Sequence, residues 1–200
     1  MNISKDRIVE ASIIILNRDG IEYLTMRNIA KELGIKASSI YWHVSGKWEL
    51  YSEITEYLCA QYPLPKNDDA KLFLEELYKI YRTMLLSTRD AVPVFENSIP
   101  NTPKRMEIIK VTMEALSKMG IADQNLLTIS NLLNNYVLSF VADELRFKQT
   151  PTEVFDDFSG MLGDLGRRVL INTNYDDQFL YGLRVIFAGL ETLEVKHLAD

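Results

Sequence analysis

Five side chains packed into eight positions, Lys36, Ser38, Ser39, Tyr41 and His43, carry the most accessible chemistry in this 200-residue chain. Two short hydroxyls, a phenol, an imidazole and an ammonium suit hydrogen bonding to base edges and phosphate oxygens of a nucleic-acid duplex. They do not suit covalent catalysis. No Ser/His/Asp or Cys/His set accompanies them, and no glycine-rich phosphate loop is present. Metal ligation is equally unsupported, because the only other histidine is His197 and the single cysteine, Cys59, has no partner at ligand spacing. Cys59 excludes an intrachain disulfide, fits a reducing compartment and reads as a small buried apolar residue.

The elements that must hold this cluster are legible in LTMRNIAKELGIKASSIYWHVSGK, residues 24–47. Thr25 is a helix N-cap; Ile29, Ala30 and Leu33 are the apolar positions of a short helix; Gly34 ends it by accepting positive φ. A second helix then follows Ile35. Ile40 and Val44 lie four apart and face inward, which turns the polar cluster outward. The arrangement is a helix-turn-helix, with the second helix placed to enter a major groove.

Net charge is −6, but it is unevenly divided: residues 1–50 hold seven Lys/Arg against six Asp/Glu, and residues 51–200 hold fifteen against twenty-two. A head at +1 must rely on the placement of Lys5, Arg27, Lys36 and Lys47, and on two heads acting together.

Helical periodicity continues along the chain without strand alternation, so the fold class is all-α. A first helix is expected from about Ser4 to Arg18, closed by Gly20. A connecting helix is expected at 48–62, stopped by Pro63-Leu64-Pro65. Further helices are expected at 68–88, from Pro103 to Met119, at 123–147 and at 176–195, with Pro93, Pro100 and Pro103 breaking residues 89–103 into short pieces. Residues 151–170 have a helical period through Phe155, Phe158, Leu162, Leu165 and Val169, weakened by Gly160, Gly163 and Gly166. The expected organisation is a three-helix head (1–47), the connecting helix (48–62) and a larger helical domain (63–200). No stretch reaches the length of a membrane span, and Ala11–Leu16 is too short for a signal core, so a soluble cytoplasmic protein is expected.

LTMRNIAKELGIKASSIYWHVSGKWEL resembles the N-terminal domain of the TetR family of transcriptional regulators, in which a Tyr-Trp-His or Tyr-Tyr-His triplet follows the recognition helix and a Lys opens the next. ILNRDGIEYLTMR, MLLSTRDAVPVF, YVLSFVADE and FLYGLRVIFAGLE extend the likeness to the tetracycline-repressor subclass. The resemblance implies operator contacts by Arg27, Ala37, Ser38, Ser39, Tyr41, Trp42, His43 and Lys47, to which the outward Lys36 is added. Trp42 is read as an apolar wedge against the backbone rather than a base stacker. The subclass has Gln and Pro where this chain has Ala37 and Ser38, so an amide able to read adenine is missing and a different operator is expected.

The resemblance also implies an effector pocket lined by Leu77, Tyr81, Phe95, Ser98, Val111 and Asn134. Phe95 stands where the subclass has a Mg²⁺-ligating histidine, and Ala142 where it has an acidic residue. A small, largely apolar or aromatic effector is therefore expected, with no metal and no cofactor. Residues 151–170 read as a loose packing element or, as the resemblance suggests, a flap over a ligand entrance, and a homodimer held by the two last long helices is a further implication. Gly182, Ala188 and Gly189 would allow close helix approach, and Leu132, Leu133, Leu138, Val141, Leu183, Ile186 and Leu190 would supply apolar surface. The expected function is a ligand-responsive repressor of a palindromic operator. The alternatives are a regulator controlled by a protein partner and an all-α enzyme or carrier.

Overall fold

In a computed structural model, which describes residues 3–170 and 174–197, every regular element is helical. The chain divides into two compact units, Met1–Ala115 and Leu116–Asp200.

The first unit opens with α1 (Lys5–Asp19), whose cap Ser4 accepts from the Arg7 N–H. Gly20 ends it at φ +94°, and a Cβ there would lie 2.9 Å from the Arg89 guanidinium and 3.0 Å from the Asp90 carboxylate. A short 3-10 turn (Ile21–Tyr23) leads to α2 (Met26–Leu33), with the Thr25 side chain accepting from the Asn28 N–H at 3.2 Å. Gly34 closes α2 in the left-handed region, φ 68° and ψ 33°, and the Ile35 N–H returns to the Ala30 carbonyl at 2.9 Å. The second helix of the motif, α3 (Ala37–Ile40), has one turn of α-helix and passes into turns through His43. Ile8, Ile15, Leu16, Ile29, Ile40 and Val44 have essentially no solvent exposure and form the core under it.

Helix α4 (Lys47–Ala60) packs on α1 and on α6 (Ala91–Glu96). Helix α5 (Ala70–Ser87) is capped by Asp69, whose carboxylate accepts from the Leu72 N–H at 2.9 Å. Pro93 does not break the chain as its type suggests. It is the third residue of α6, where the amide it lacks has no intrahelical acceptor to lose. The residue before α6, Asp90, has φ 58° and turns its carboxylate away from its own helix to accept from the Ile21 N–H at 2.7 Å. Arg89 donates from its N–H to Asn17 Oδ1 at 2.9 Å, so the α5–α6 corner is stitched to the end of α1. Helix α7 (Pro103–Lys118) opens on Pro103, the position where proline costs a helix nothing.

In the second unit, α8 (Asp123–Gln149) packs on α11 (Tyr175–His197), and α9 (Thr152–Met161) on α10 (Gly163–Leu170). The single helix suggested by the period of 151–170 is two, broken where Gly163 adopts φ +59°. The expected side-chain roles of Phe155 and Val169 lie outside the described residues. The α8–α11 contact is aromatic: Tyr136 stacks on Phe179 at 5.6 Å, and Phe140 meets Phe179 edge-on at 5.2 Å. Tyr136 also donates its hydroxyl to the Phe179 carbonyl at 2.8 Å. Gly182 belongs to this seam, since a Cβ there would collide with the Tyr136 ring. Its close approach is thus made inside one chain. Gly189 has nothing within 4 Å of its missing Cβ and faces outward beside exposed Ala188. Leu133, Leu138, Val141, Leu183 and Leu190 are buried within the chain, whereas Leu132 is exposed.

Candidate functional site

Two constellations in the first unit have ligand-binding character. The first is the outer face of the helix-turn-helix. Arg27, Lys36, Ser38, Tyr41, Trp42 and Lys47 are exposed, and Ala37, Ser39 and His43 are half-buried. Trp42 is 88% exposed, so its indole makes little packing contact with the head and is available to a partner. Lys47 lies with its Nζ 5.3 Å from the centre of the Tyr51 ring, a cation–π contact that fixes the side chain at the start of α4.

One cation expected to serve this face does not. Lys5 Nζ is held by Glu49 Oε1 at 2.9 Å and Glu53 Oε1 at 2.6 Å, so its charge is spent binding α1 to α4. Those hydrogen bonds raise the Lys5 pKa. Glu49 accepts from the Ser45 N–H and hydroxyl, both at 2.7 Å. The Ser45 hydrogen bonds, with Lys5 behind them, hold the Glu49 carboxyl at about 2. Arg18 is likewise committed, pairing with Glu32 at 2.9 Å to join α1 to α2. The spacing of the sequence could not show these pairs because their members are 14 to 48 residues apart.

The second constellation gathers three of the expected pocket residues. Tyr81 on α5 and Phe95 on α6 have ring centres 5.5 Å apart, and Ser98 follows α6, its hydroxyl donating to the Phe95 carbonyl at 2.9 Å. Leu77 lies one turn before Tyr81 and is buried, and Val111 is half-buried on α7. Asn134 belongs to α8 of the second unit, where its amide donates to Asn135.

Sequence reading missed the cation in the middle. The Arg105 guanidinium sits 5.2 Å from the Phe95 ring centre and donates from Nη1 to Ser98 Oγ at 2.6 Å and to Thr55 Oγ1 at 3.3 Å. Burial lowers its pKa, an effect opposed by Tyr81, Cys59 and Glu56. Burial likewise pushes the Tyr81 phenol up and the Cys59 thiol to about 12. Glu56 on α4 is directed to the backbone, accepting from the Lys104 N–H at 2.9 and 3.0 Å and from the Arg105 N–H at 3.4 Å. It caps the first turn of α7 from another helix. Among the described residues, no group of three or more His, Cys, Asp or Glu is arranged to hold a metal ion.

A helical head with an outward polar face, on a helical body with a half-buried aromatic cluster, defines a DNA-binding regulator with a sensor domain. Residues 8–54 match the model of the bacterial regulatory proteins of the tetR family, and residues 62–193 match the tetracyclin repressor-like C-terminal domain. The chain belongs to the TetR family and is a ligand-responsive DNA-binding regulator. It is 26% identical to the tetracycline repressor protein class E of Escherichia coli, over 98% of this chain and 95% of that protein. Among solved structures it is similar to the Streptomyces coelicolor TetR family protein ActR in complex with actinorhodin. There the TM-score is 0.87 at 24% identity, over 97% of this chain and 99% of that one. A TetR variant of Acinetobacter baumannii in complex with minocycline gives 0.78 at 25% identity, over 96% and 95%.

Proposed function

We propose that this protein is a homodimeric, non-catalytic cytoplasmic repressor, released from a palindromic operator by a small, largely aromatic effector that requires no metal. Residues 1–47 form the DNA-binding head, 48–62 the connecting helix, and 63–200 the effector-binding and dimerisation domain. The observation that carries the reading is the Tyr81–Phe95 pair, its rings tilted 58° to one another, an aromatic wall at the place where the tetracycline-repressor subclass has a metal-binding histidine. An aromatic wall gains from burying a flat apolar ligand and offers a divalent ion neither carboxylate nor imidazole. The minocycline- and actinorhodin-bound neighbours support the ligand-responsive part of the reading.

The operator is contacted by Arg27, Lys36, Ala37, Ser38, Ser39, Tyr41, Trp42, His43 and Lys47. Leu77, Tyr81, Phe95, Ser98 and Val111, all of the first unit, line the effector pocket. Effector binding reaches the head through α4, which starts at Lys47 and packs on α6. Exposed Leu127 and Leu132 on α8, with Tyr181, Val185, Ala188 and Gly189 on α11, offer the face for a second copy.

Selection of bound duplexes from a random library tests the DNA half. A palindromic consensus with half-sites one helical turn apart, or multiples of it, is expected, and binding no tighter than to random DNA overturns the reading. Titrating a discovered effector with and without chelator tests the other half, with equal affinity expected.

A further inference from the structure

Resting on that reading, we propose that the effector carries a carboxylate and that Arg105 is the residue that receives it: the ligand is an aromatic acid, its ring against Tyr81 and Phe95 and its anionic end on the guanidinium.

Arg105 is half-buried, and its hydrogen-bond partners are two neutral hydroxyls, Ser98 and Thr55. Each hydroxyl passes its own proton to a carbonyl, Ser98 to Phe95 and Thr55 to Ser52. Each is thereby locked as an acceptor and has no hydrogen left for another group. Both bonds use Nη1. The remaining N–H groups, on Nε and Nη2, meet no acceptor among the described residues, and no carboxylate there lies within ion-pair distance of the guanidinium. Glu56, the acid whose charge is felt, keeps its oxygens on the backbone of Lys104 and Arg105.

A half-buried cation without a counter-ion is expensive, and native folds seldom keep one without a use. The Nε–Nη2 edge of a guanidinium has the two parallel donors that a carboxylate accepts in bidentate fashion. Phe95 holds the plane of the guanidinium from one side, and the two hydroxyls hold Nη1, so the open edge is pre-oriented. The aromatic pair supplies the apolar contact, and the cation supplies the discrimination between an acid and a neutral molecule of the same shape.

The experiment uses the full-length protein on its selected operator, with 2-naphthoate, anthracene-9-carboxylate and anthraquinone-2-carboxylate as probes and their primary carboxamides as neutral matches. Calorimetry measures affinity and fluorescence anisotropy measures operator release. At least one acid is expected to bind and release DNA, with its amide at least tenfold weaker, about 1.4 kcal/mol. Arg105→Met is expected to abolish the preference for acid over amide, and Arg105→Lys to keep part of it. Amides that match their acids, or an Arg105→Met protein that retains the preference, overturn the proposal. So does failure of every acid to bind at millimolar concentration. Should Arg105→Met not fold, the wild-type acid-to-amide ratio and the Arg105→Lys protein decide. A neutral aromatic that releases the operator overturns the acid and leaves the regulator standing, whereas absence of any preferred duplex removes the regulator itself.

Discussion

The head and the Arg105 cluster both carry positive charge, in opposite surroundings. Lys36, Lys47 and Arg27 stand in water on a rigid three-helix frame, while Arg105 stands half-buried between rings and hydroxyls. Exposed cations are screened over roughly 8–10 Å at physiological salt, and their contribution to phosphate binding comes from counter-ion release. A half-buried cation is screened far less. Operator affinity should therefore fall steeply with salt and effector affinity should not. On the proposed reading, one chain would use cationic side chains both for a partner found by long-range attraction and for one recognised by fit.

The largest expected effect tests the frame. Ile40→Ala removes a side chain with no solvent exposure from under α3 and should cost about 2–5 kcal/mol in chemical denaturation, with loss of operator binding. The contrast between the two sites breaks if effector binding disappears in step while the body remains folded.

Next comes the pairing of two heads. Gly189→Leu places a branched side chain on an open outward face, and overpacking against a second copy should cost about 1–3 kcal/mol. Light scattering should then show a shift from a dimer toward the 23.0 kDa chain, with operator affinity falling and the acid preference of each chain retained. A variant that stays fully dimeric moves the interface elsewhere.

Smaller again is Lys47→Ala, which should weaken operator binding and reduce the slope of log affinity against log salt by about one. The same substitution should leave the salt dependence of effector binding flat, and a change there would merge two sites now separated by their dielectric setting.

The smallest concerns the frame's own charges. Glu49 is held at about 2 from an ordinary value of 4.5, so its stabilisation is complete above 4.5 and is lost as pH falls from there toward 2. Glu49→Gln should flatten the acid limb of a stability profile in that window and leave neutral-pH operator binding little altered.

Much of the frame was legible because its signals are local. Thr25 and Gly34 bracket α2 within ten residues, and Pro103 opens α7 at a position defined by its own ring. Of the expected pocket residues, Tyr81, Phe95 and Ser98 come together in the structure, and that grouping was legible. Arg105 was not, because its meaning depends on α4, α6 and α7 arriving together, and nothing in MEIIKVT beside it announces a half-buried cation. Lys5 misled for the same reason, since its two acids are 44 and 48 residues away. Gly182 shows a third kind of miss: a small residue reads identically whether it admits a second chain or a tyrosine of its own.

The burial of Cys59 has a practical consequence. At 4% exposure and with a thiol pushed to about 12, almost none of it is thiolate at neutral pH, so maleimides should pass it by. The native protein is then already a silent background for labelling. A cysteine placed at an exposed site such as Ser38 would carry one spin label or fluorophore per chain, and the distance between the two heads could be followed directly as ligand is added.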